Sequence, residues 1–180
     1  MCNRNNFKNR IEDFGKYNYF HVMLTSVTEN FSQSEFLSLA MMIEHAAIQD
    51  YAWLSKEMES RHLLDVASIF GDFSSFSAMQ KDAILSLAKA EGVALESEYD
   101  LCLKRKMHGL IFGPTAWSGD GLKDALLYIR EKEAAVRAYY ESVASSTTNT
   151  DVHNLAVGFA DNENDQVLVI DKWLDMLPVA

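Results

Sequence analysis

Cysteine, proline and long apolar runs are scarce in this chain, and each shortage excludes a class of protein. Its two cysteines, Cys2 and Cys102, form no paired CxxC element, so they predict neither a zinc knob nor a rubredoxin-type iron site. Only two prolines and eight glycines occur in 180 residues, which is typical of a folded, helix-rich protein. No apolar run reaches the roughly 18 residues of a membrane-spanning helix, so no membrane partner is predicted.

Basic residues are also in deficit, and this excludes a second group of functions. Sixteen lysines and arginines stand against 26 acidic residues, giving a formal charge of −10. The single basic run, Lys104-Arg105-Lys106, is typical of a solvated helix end, so no binding to nucleic acid is expected. The first ten residues lack the apolar segment of a secretion signal, and we expect a cytoplasmic location. No glycine-rich phosphate loop and no Gly-x-Ser-x-Gly motif is present.

What the chain does contain is apolar residues at helical spacing. With 48% hydrophobic and 23% charged residues, 180 residues suffice for one compact domain. We interpret residues 1–30 as an N-terminal arm or short helix and residues 31–180 as a bundle. Ser32 or Ser34 can cap a first helix that runs to about residue 60, and a third helix is predicted over 121–146. Adding 89 to the first stripe, Leu37, Ala40, Glu44, Ala47, Tyr51 and Leu54, gives the third stripe, Leu126, Ile129, Glu133, Val136, Tyr140 and Val143.

The second and fourth helices repeat one another in the same way. A loop is predicted at 71–75, a second helix from Ser75 or Ser77 to about residue 108, and a fourth helix over 151–177. The linker 110–120 is long enough to cross the bundle. Subtracting 72 from Glu163 gives Glu91. The sequence therefore predicts an all-α, antiparallel four-helix bundle with a crossover between helices 2 and 3 and one inward glutamate on each helix.

Four carboxylates at one depth make a chemical prediction. An ionised carboxylate in a dry core costs several kcal/mol unless it is paired. No lysine or arginine lies in the four stripes, so the charge is settled either by protonation of the carboxylates or by bound cations. Two divalent ions would balance four carboxylates.

These residues resemble the ferritin-like superfamily, and within it the rubrerythrins. The resemblance covers roughly residues 34–176. It implies a ferritin-like bundle, a site for two iron or manganese ions, redox chemistry with dioxygen or peroxide, and a homodimer. The residues that carry it are Glu44 with Tyr51, Leu87-Ala88-x-x-Glu91, Glu133 with Tyr140, and Phe159-Ala160-x-x-Glu163.

The chain departs from that family where its histidines belong. Ala94 and Gln166 stand at these two places, and Val136 replaces a further carboxylate. The resemblance leaves Glu44, Glu91, Glu133 and Glu163 as metal ligands, with Gln166 as a fifth. Tyr51 and Tyr140 are expected to be core residues whose hydroxyls bond to carboxylates on facing helices. Glu98 at one turn beyond Ala94 is interpreted as solvent-facing, and His45 as facing water or a neighbouring helix.

Two functions remain open at this point. The first is a carboxylate-bridged metal protein with oxidoreductase activity toward dioxygen or peroxide. The second is a bundle that holds no metal and serves as a structural or interaction module, with its glutamates protonated or hydrogen-bonded to tyrosines.

Overall fold

The computed structural model describes residues 31–96 and 121–178, and the regular structure there is entirely helical. The predicted all-α class is confirmed, whereas the predicted arm over residues 1–30 lies outside the described residues. The four helices described are α1 (Gln33–Ser60), α2 (Leu64–Ala90), α3 (Leu122–Ser146) and α4 (Thr150–Met176). None of them is long and apolar enough to cross a membrane.

Side-chain caps fix where α1 and α4 begin. The Ser32 hydroxyl accepts a hydrogen bond from the Glu35 amide at 3.2 Å, and the Glu35 carboxylate accepts one from the Ser32 amide at 2.9 Å. This reciprocal capping box satisfies two backbone donors that the first turn leaves free. Asn149 caps α4 by accepting from the amides of Asp151 and Val152. The predicted starts of these two helices are therefore confirmed to within a residue or two.

The four helices form two hairpins that pack face to face. Connections of three residues join α1 to α2 and α3 to α4, so each pair is antiparallel. Between the hairpins, the rings of Phe36 and Tyr140 are 5.9 Å apart, and Tyr51 further along α1 contacts Glu133 earlier in α3. Helices α1 and α3 are thus antiparallel, which makes α2 and α3 parallel. The end of α2 and the start of α3 therefore lie at opposite ends of the bundle, as the predicted crossover requires, whereas the connecting residues 97–120 lie outside the described residues.

Helix α2 begins earlier than its sequence predicts. The segment 71–75, which contains Gly71 and three capping residues, was expected to be a loop but lies inside the helix. Phe70 and Phe73 account for this, because their rings pack on the ring of Tyr51 at 6.3 and 5.8 Å. Burying two aromatic side chains outweighs a glycine penalty of about 1 kcal/mol.

Helix α2 also ends earlier than predicted. Gly92 has φ +68° and follows the last helical turn. Its amide donates to the Lys89 carbonyl at 3.3 Å, and the Val93 amide donates to the Ala88 carbonyl at 2.8 Å. This is the Schellman arrangement, in which glycine supplies a left-handed residue that ends the helix. The predicted continuation through residues 91–96 is wrong, and its remainder to residue 108 lies outside the described residues.

The interior consists of two apolar clusters with a polar layer between them. Around Phe36 the ends of α2 and α3 meet the starts of α1 and α4, and around Tyr51 the opposite ends meet. The polar layer lies at mid-length, and we define it as the buried residues Glu44, Ser77, Glu133, Glu163 and Gln166. Its position between the clusters keeps these side chains away from bulk water.

Candidate functional site

Three of the four predicted glutamates meet in the polar layer. Glu44 from α1, Glu133 from α3 and Glu163 from α4 line one cavity of about 10 Å³. They are 4%, 7% and 2% exposed, respectively. A cavity of this size holds about one water molecule. The stripe pattern therefore predicted the depth and direction of these three carboxyl groups correctly.

Hydrogen bonds tie these carboxyl groups to their neighbours. Tyr51 donates its hydroxyl to Glu133 Oε1, as its position seven residues after Glu44 predicted. The carboxyl groups of Glu163 and Glu133 both line the small cavity and lie close enough to interact electrostatically. Gln166 Nε2 donates to Glu163 Oε2 at 3.1 Å, one helical turn away. Gln166 thus uses its amide nitrogen as a donor toward the carboxyl group in this arrangement.

Burial sets the protonation of Glu44. Removal from water, followed by repulsion from Glu133, raises the pKa of Glu44 from 4.5 to about 8, while a hydrogen bond from Ser77 lowers it. A single hydroxyl donor does not offset the loss of hydration around a carboxylate. Glu44 therefore carries a proton in most molecules at neutral pH.

Glu163 is shifted in the same direction and further. Burial raises the pKa of Glu163 to about 11, and repulsion from Glu133 and Glu44 adds to the rise. Its interaction with the side chain of Glu133 further favours the protonated form of Glu163. Two protons shared among three carboxyl groups leave little charge to be neutralised.

Glu91, the fourth predicted ligand, is not part of this cluster. It lies at the carboxyl end of α2, where it is exposed and bonds to the side chain of Gln33. Ala94, which stands at the family's histidine place in the sequence-based alignment, follows the helix end and is exposed as well. The mid-length placement predicted for Glu91 is therefore wrong.

Helix α2 presents Ser77 to the polar layer instead. Subtracting 86 from Glu163 and Gln166 gives Ser77 and Gln80. An offset of 86 between the residue numbers of α4 and α2 aligns both ends of the two helices and matches their buried residues. The offset of 72 predicted from the sequence places the start of α4 in the middle of α2 and its end beyond the end of α2. The buried pairs that the offset of 86 brings into register are Val66 with Val152, Phe70 with Ala156, and Ile84 with Ile170, and it also pairs Phe73 with the partly buried Phe159.

Both predicted tyrosines are buried. Burial raises the pKa of Tyr51, with Glu133 as the next cause, and burial raises the pKa of Tyr140, with Glu44 and then Glu163 as the next causes. Both phenols therefore stay protonated, and Tyr51 is a hydrogen-bond donor rather than a base.

A buried ion pair beside the site was not predicted. Lys132 lines the small cavity, and its ammonium pairs with Asp50, whose side chain is 1% exposed. That ammonium also lies 5.0 Å from the Tyr51 ring centre and 5.5 Å from the Tyr128 ring centre. Tyr128 donates its hydroxyl to the same oxygen of Asp50 at 3.1 Å. The sequence does contain one indication of this ion pair. Lys132 directly precedes Glu133 and therefore lies about 100° around the helix from it, on the side that faces a neighbouring helix.

These residues do not fit a two-iron centre. Within residues 31–96 and 121–178, no group of three or more His, Cys, Asp or Glu side chains is spaced to hold a metal ion. The three histidines in those ranges, His45, His62 and His153, are exposed and outside the cluster, as predicted. The donor set is three hydrogen-bonded carboxyl groups, one amide and one hydroxyl, with no imidazole.

One solved protein structure has the same helical fold as this chain. It is an uncharacterized conserved protein from Magnetospirillum magnetotacticum MS-1, 25% identical, with a TM-score of 0.60, and the match covers 83% of this chain and 98% of that one. No family model matches the chain, and no curated protein matches it. The likeness supports the helical architecture, and it carries no assignment of activity.

Proposed function

We propose that this protein is a ferritin-like four-helix bundle without a two-iron centre, which serves as a non-catalytic structural or interaction module. The observation that carries the proposal is that Glu44, Glu133 and Glu163 are buried together, with Tyr51 and Gln166 donating hydrogen bonds to this group. Burial raises the pKa of both Glu44 and Glu163, so these two are held as neutral carboxyl groups and the cluster keeps little charge for a cation to balance.

The composition of α2 supports the same reading. When α2 is aligned with α4 at the offset of 86, Ser77 corresponds to Glu163 and Gln80 corresponds to Gln166. Ser77 therefore stands where a fourth glutamate would be needed, and Gln80 where a histidine would be needed. A site of this kind lacks one of four bridging charges and both nitrogen ligands. Tyr51 and Ser77 supply hydrogen bonds to the carboxyl groups that remain, which is what a metal-free interior requires.

The test is metal content and metal response. The protein is purified without chelator, assayed for iron and manganese, and then titrated with Fe²⁺ in air. We expect substoichiometric metal, no absorbance change and an unchanged melting temperature. A melting temperature that rises with Fe²⁺ would overturn the proposal, because a ligand that binds only the folded state must stabilise it.

A second candidate is a site for one divalent cation, such as Mn²⁺. It is favoured by the fact that Glu44, Glu133 and Glu163 all line one cavity. Oxygen ligands suit Mn²⁺ better than they suit ions that prefer nitrogen or sulfur. Such a cation would displace the two shared protons, and Gln166 would turn its carbonyl oxygen toward it.

The variants Glu163→Gln and Glu91→Gln separate the two candidates. Under the metal-free proposal, Glu163→Gln keeps a neutral, hydrogen-bonding side chain and leaves the response to Mn²⁺ as flat as in the wild type. Under the second candidate, the wild type is stabilised by millimolar Mn²⁺ and Glu163→Gln is not. Glu91→Gln is the matched control, since it removes a predicted carboxylate that lies outside the cluster. A response lost in Glu91→Gln would contradict both candidates.

A further inference from the structure

A second cavity lies beside the polar layer and is about ten times larger. Its volume is about 110 Å³, and all four helices contribute to its wall. Glu44, Ile84 and Tyr140 form its buried floor, while Gln80 and Asn162 are more exposed and lie at its mouth. The cavity therefore runs from the surface between α2 and α4 to the carboxyl group of Glu44.

The size of the cavity limits its occupant. An apolar cavity of about 150 Å³ in another protein accommodates benzene, so about 110 Å³ suits a ligand of four or five heavy atoms. Leu87, Phe159 and Ile84 line the cavity with apolar surface. A short alkyl chain matches that surface, whereas a sugar or a nucleotide is too large and too polar.

The polar groups of the cavity are rich in acceptors. Glu44 offers a carboxyl group at the floor, and Gln80 and Asn162 each offer an amide oxygen near the mouth. A primary ammonium has three donors and no acceptor, so it complements such a set.

Charge favours a cation over a neutral molecule of the same shape. Three carboxyl groups are buried in the polar layer, and the chain as a whole carries a formal charge of −10. Lys132, the ammonium that lines the neighbouring small cavity, is paired with Asp50 and lies outside this second cavity. A cationic ligand would therefore take the place of the proton that Glu44 carries and pair with its carboxylate, without competing with Lys132.

We propose that this cavity binds a short primary alkylammonium, with its ammonium on Glu44 and its alkyl chain against Ile84 and Phe159. The proposal concerns a different cavity from the metal question and goes beyond the function proposed above. Its failure would leave the metal-free reading of Glu133 and Glu163 unchanged.

The experiment compares n-butylammonium with butan-1-ol, which has the same length and no charge. Isothermal titration is performed on the full chain with EDTA present, so that no metal contributes. We expect saturable binding of one n-butylammonium per chain and at least tenfold weaker binding of butan-1-ol. Equal binding of both, or no saturable binding of the amine, would overturn the proposal.

Two variants locate the binding. Ala83 lines the cavity and is exposed, so Ala83→Leu should fill the mouth without disturbing the core and should weaken amine binding at least tenfold. Glu44→Gln should reduce amine binding to the level of butan-1-ol. Glu91→Gln, which removes an exposed carboxylate that does not line the cavity, should bind the amine like the wild type. Unchanged amine binding in Ala83→Leu, with an unchanged melting temperature, would place the amine elsewhere and refute the assignment.

Discussion

The hydroxyl of Tyr51 in α1 donates a hydrogen bond to the carboxylate of Glu133 in α3, so one buried contact joins the two hairpins at the polar layer. Tyr51 is fully buried, and its ring also packs on Phe70 and Phe73. Removing the hydroxyl alone leaves this packing in place. The contact can therefore be tested without a cavity.

We expect Tyr51→Phe to lower the free energy of unfolding by about 1–3 kcal/mol, because the buried carboxyl group of Glu133 loses a hydrogen-bond donor. Urea unfolding of the single variants Tyr51→Phe and Glu133→Gln and of the double variant gives the coupling energy between the two groups. If the effects of the two single variants simply add, the hydrogen bond does not contribute to stability.

The raised pKa of Glu44 predicts a stability that depends on pH. Its pKa is about 8 in the folded state and 4.5 in the reference state, so between these values the folded chain holds a proton that the unfolded chain has released. Raising the pH through this window favours unfolding by about 1.4 kcal/mol per pH unit from this group. The contribution is complete below pH 4.5 and is lost by pH 8.

The measurement is the difference in unfolding free energy between the wild type and Glu44→Gln at pH 5, 6, 7 and 8. The wild type should lose stability relative to Glu44→Gln as the pH rises, and the difference should level off above pH 8. Glu91→Gln is the control variant, because that side chain is exposed and lies outside the polar layer. If the wild type instead becomes more stable relative to Glu44→Gln as the pH rises, the pKa of Glu44 is not raised in the folded state.

The register of α2 predicts which substitutions can build a metal site. Ser77→Glu combined with Gln80→His and Gln166→His places a fourth carboxylate and two imidazoles in the polar layer. We expect this triple variant to be less stable than the wild type without metal and to gain several degrees in melting temperature with Fe²⁺ or Mn²⁺.

The control for this design uses the register that the sequence alone suggested. Ala94→His combined with Gln166→His keeps Glu91 and restores the histidine place beyond the end of α2. Since residues 91–96 lie after the helix, this pair should show a smaller metal response than the triple variant. A larger response in the control would mean that the offset of 86 is not the functional register.

The two ion pairs of α3 are expected to contribute very different amounts to the free energy of unfolding. Lys132 pairs with buried Asp50, so Lys132→Met should cost about 3–5 kcal/mol by leaving a buried charge without a partner. Arg130 pairs with Asp171 at 2.5 Å with both side chains about 40% exposed, and Arg130→Met should cost about 1 kcal/mol or less. Thermal and urea unfolding of both variants, with Asp50→Asn/Lys132→Met as the repair of the buried pair, checks the contrast.

The first, third and fourth helices were predictable because their local signals agree with their tertiary setting. Ser32 and Asn149 cap helices whose apolar stripes follow at once, and Glu44, Glu133 and Glu163 lie within those stripes. The offset of 89 between α1 and α3 survives in the structure, since Phe36, Leu37, Ala40 and Glu44 are buried together with Ala125, Leu126, Ile129 and Glu133. The homodimer and the absence of nucleic acid binding stay predictions.

The second helix was misplaced for a reason that periodicity cannot detect. The predicted offset of 72 and the observed offset of 86 differ by 14 residues, which is two heptads. A shift of two heptads returns nearly the same face of a helix to the core, while moving it about 21 Å along its axis. Apolar residues then match at either register, and only the helix ends distinguish them. Gly92 was the local sign of the end, as a glycine suited to the left-handed position.

Helix periodicity and capping residues are sufficient to predict the class of fold, the pairing of two related hairpins and the inward direction of three glutamates. Which residue of α2 meets these glutamates depends on the packing between the helices. The stacking of Phe70 and Phe73 on Tyr51 carries α2 through its glycine and serine residues and fixes its axial position. That packing brings Ser77 rather than Glu91 to Glu44, and with it a hydrogen-bonded carboxyl cluster in place of four metal-binding carboxylates.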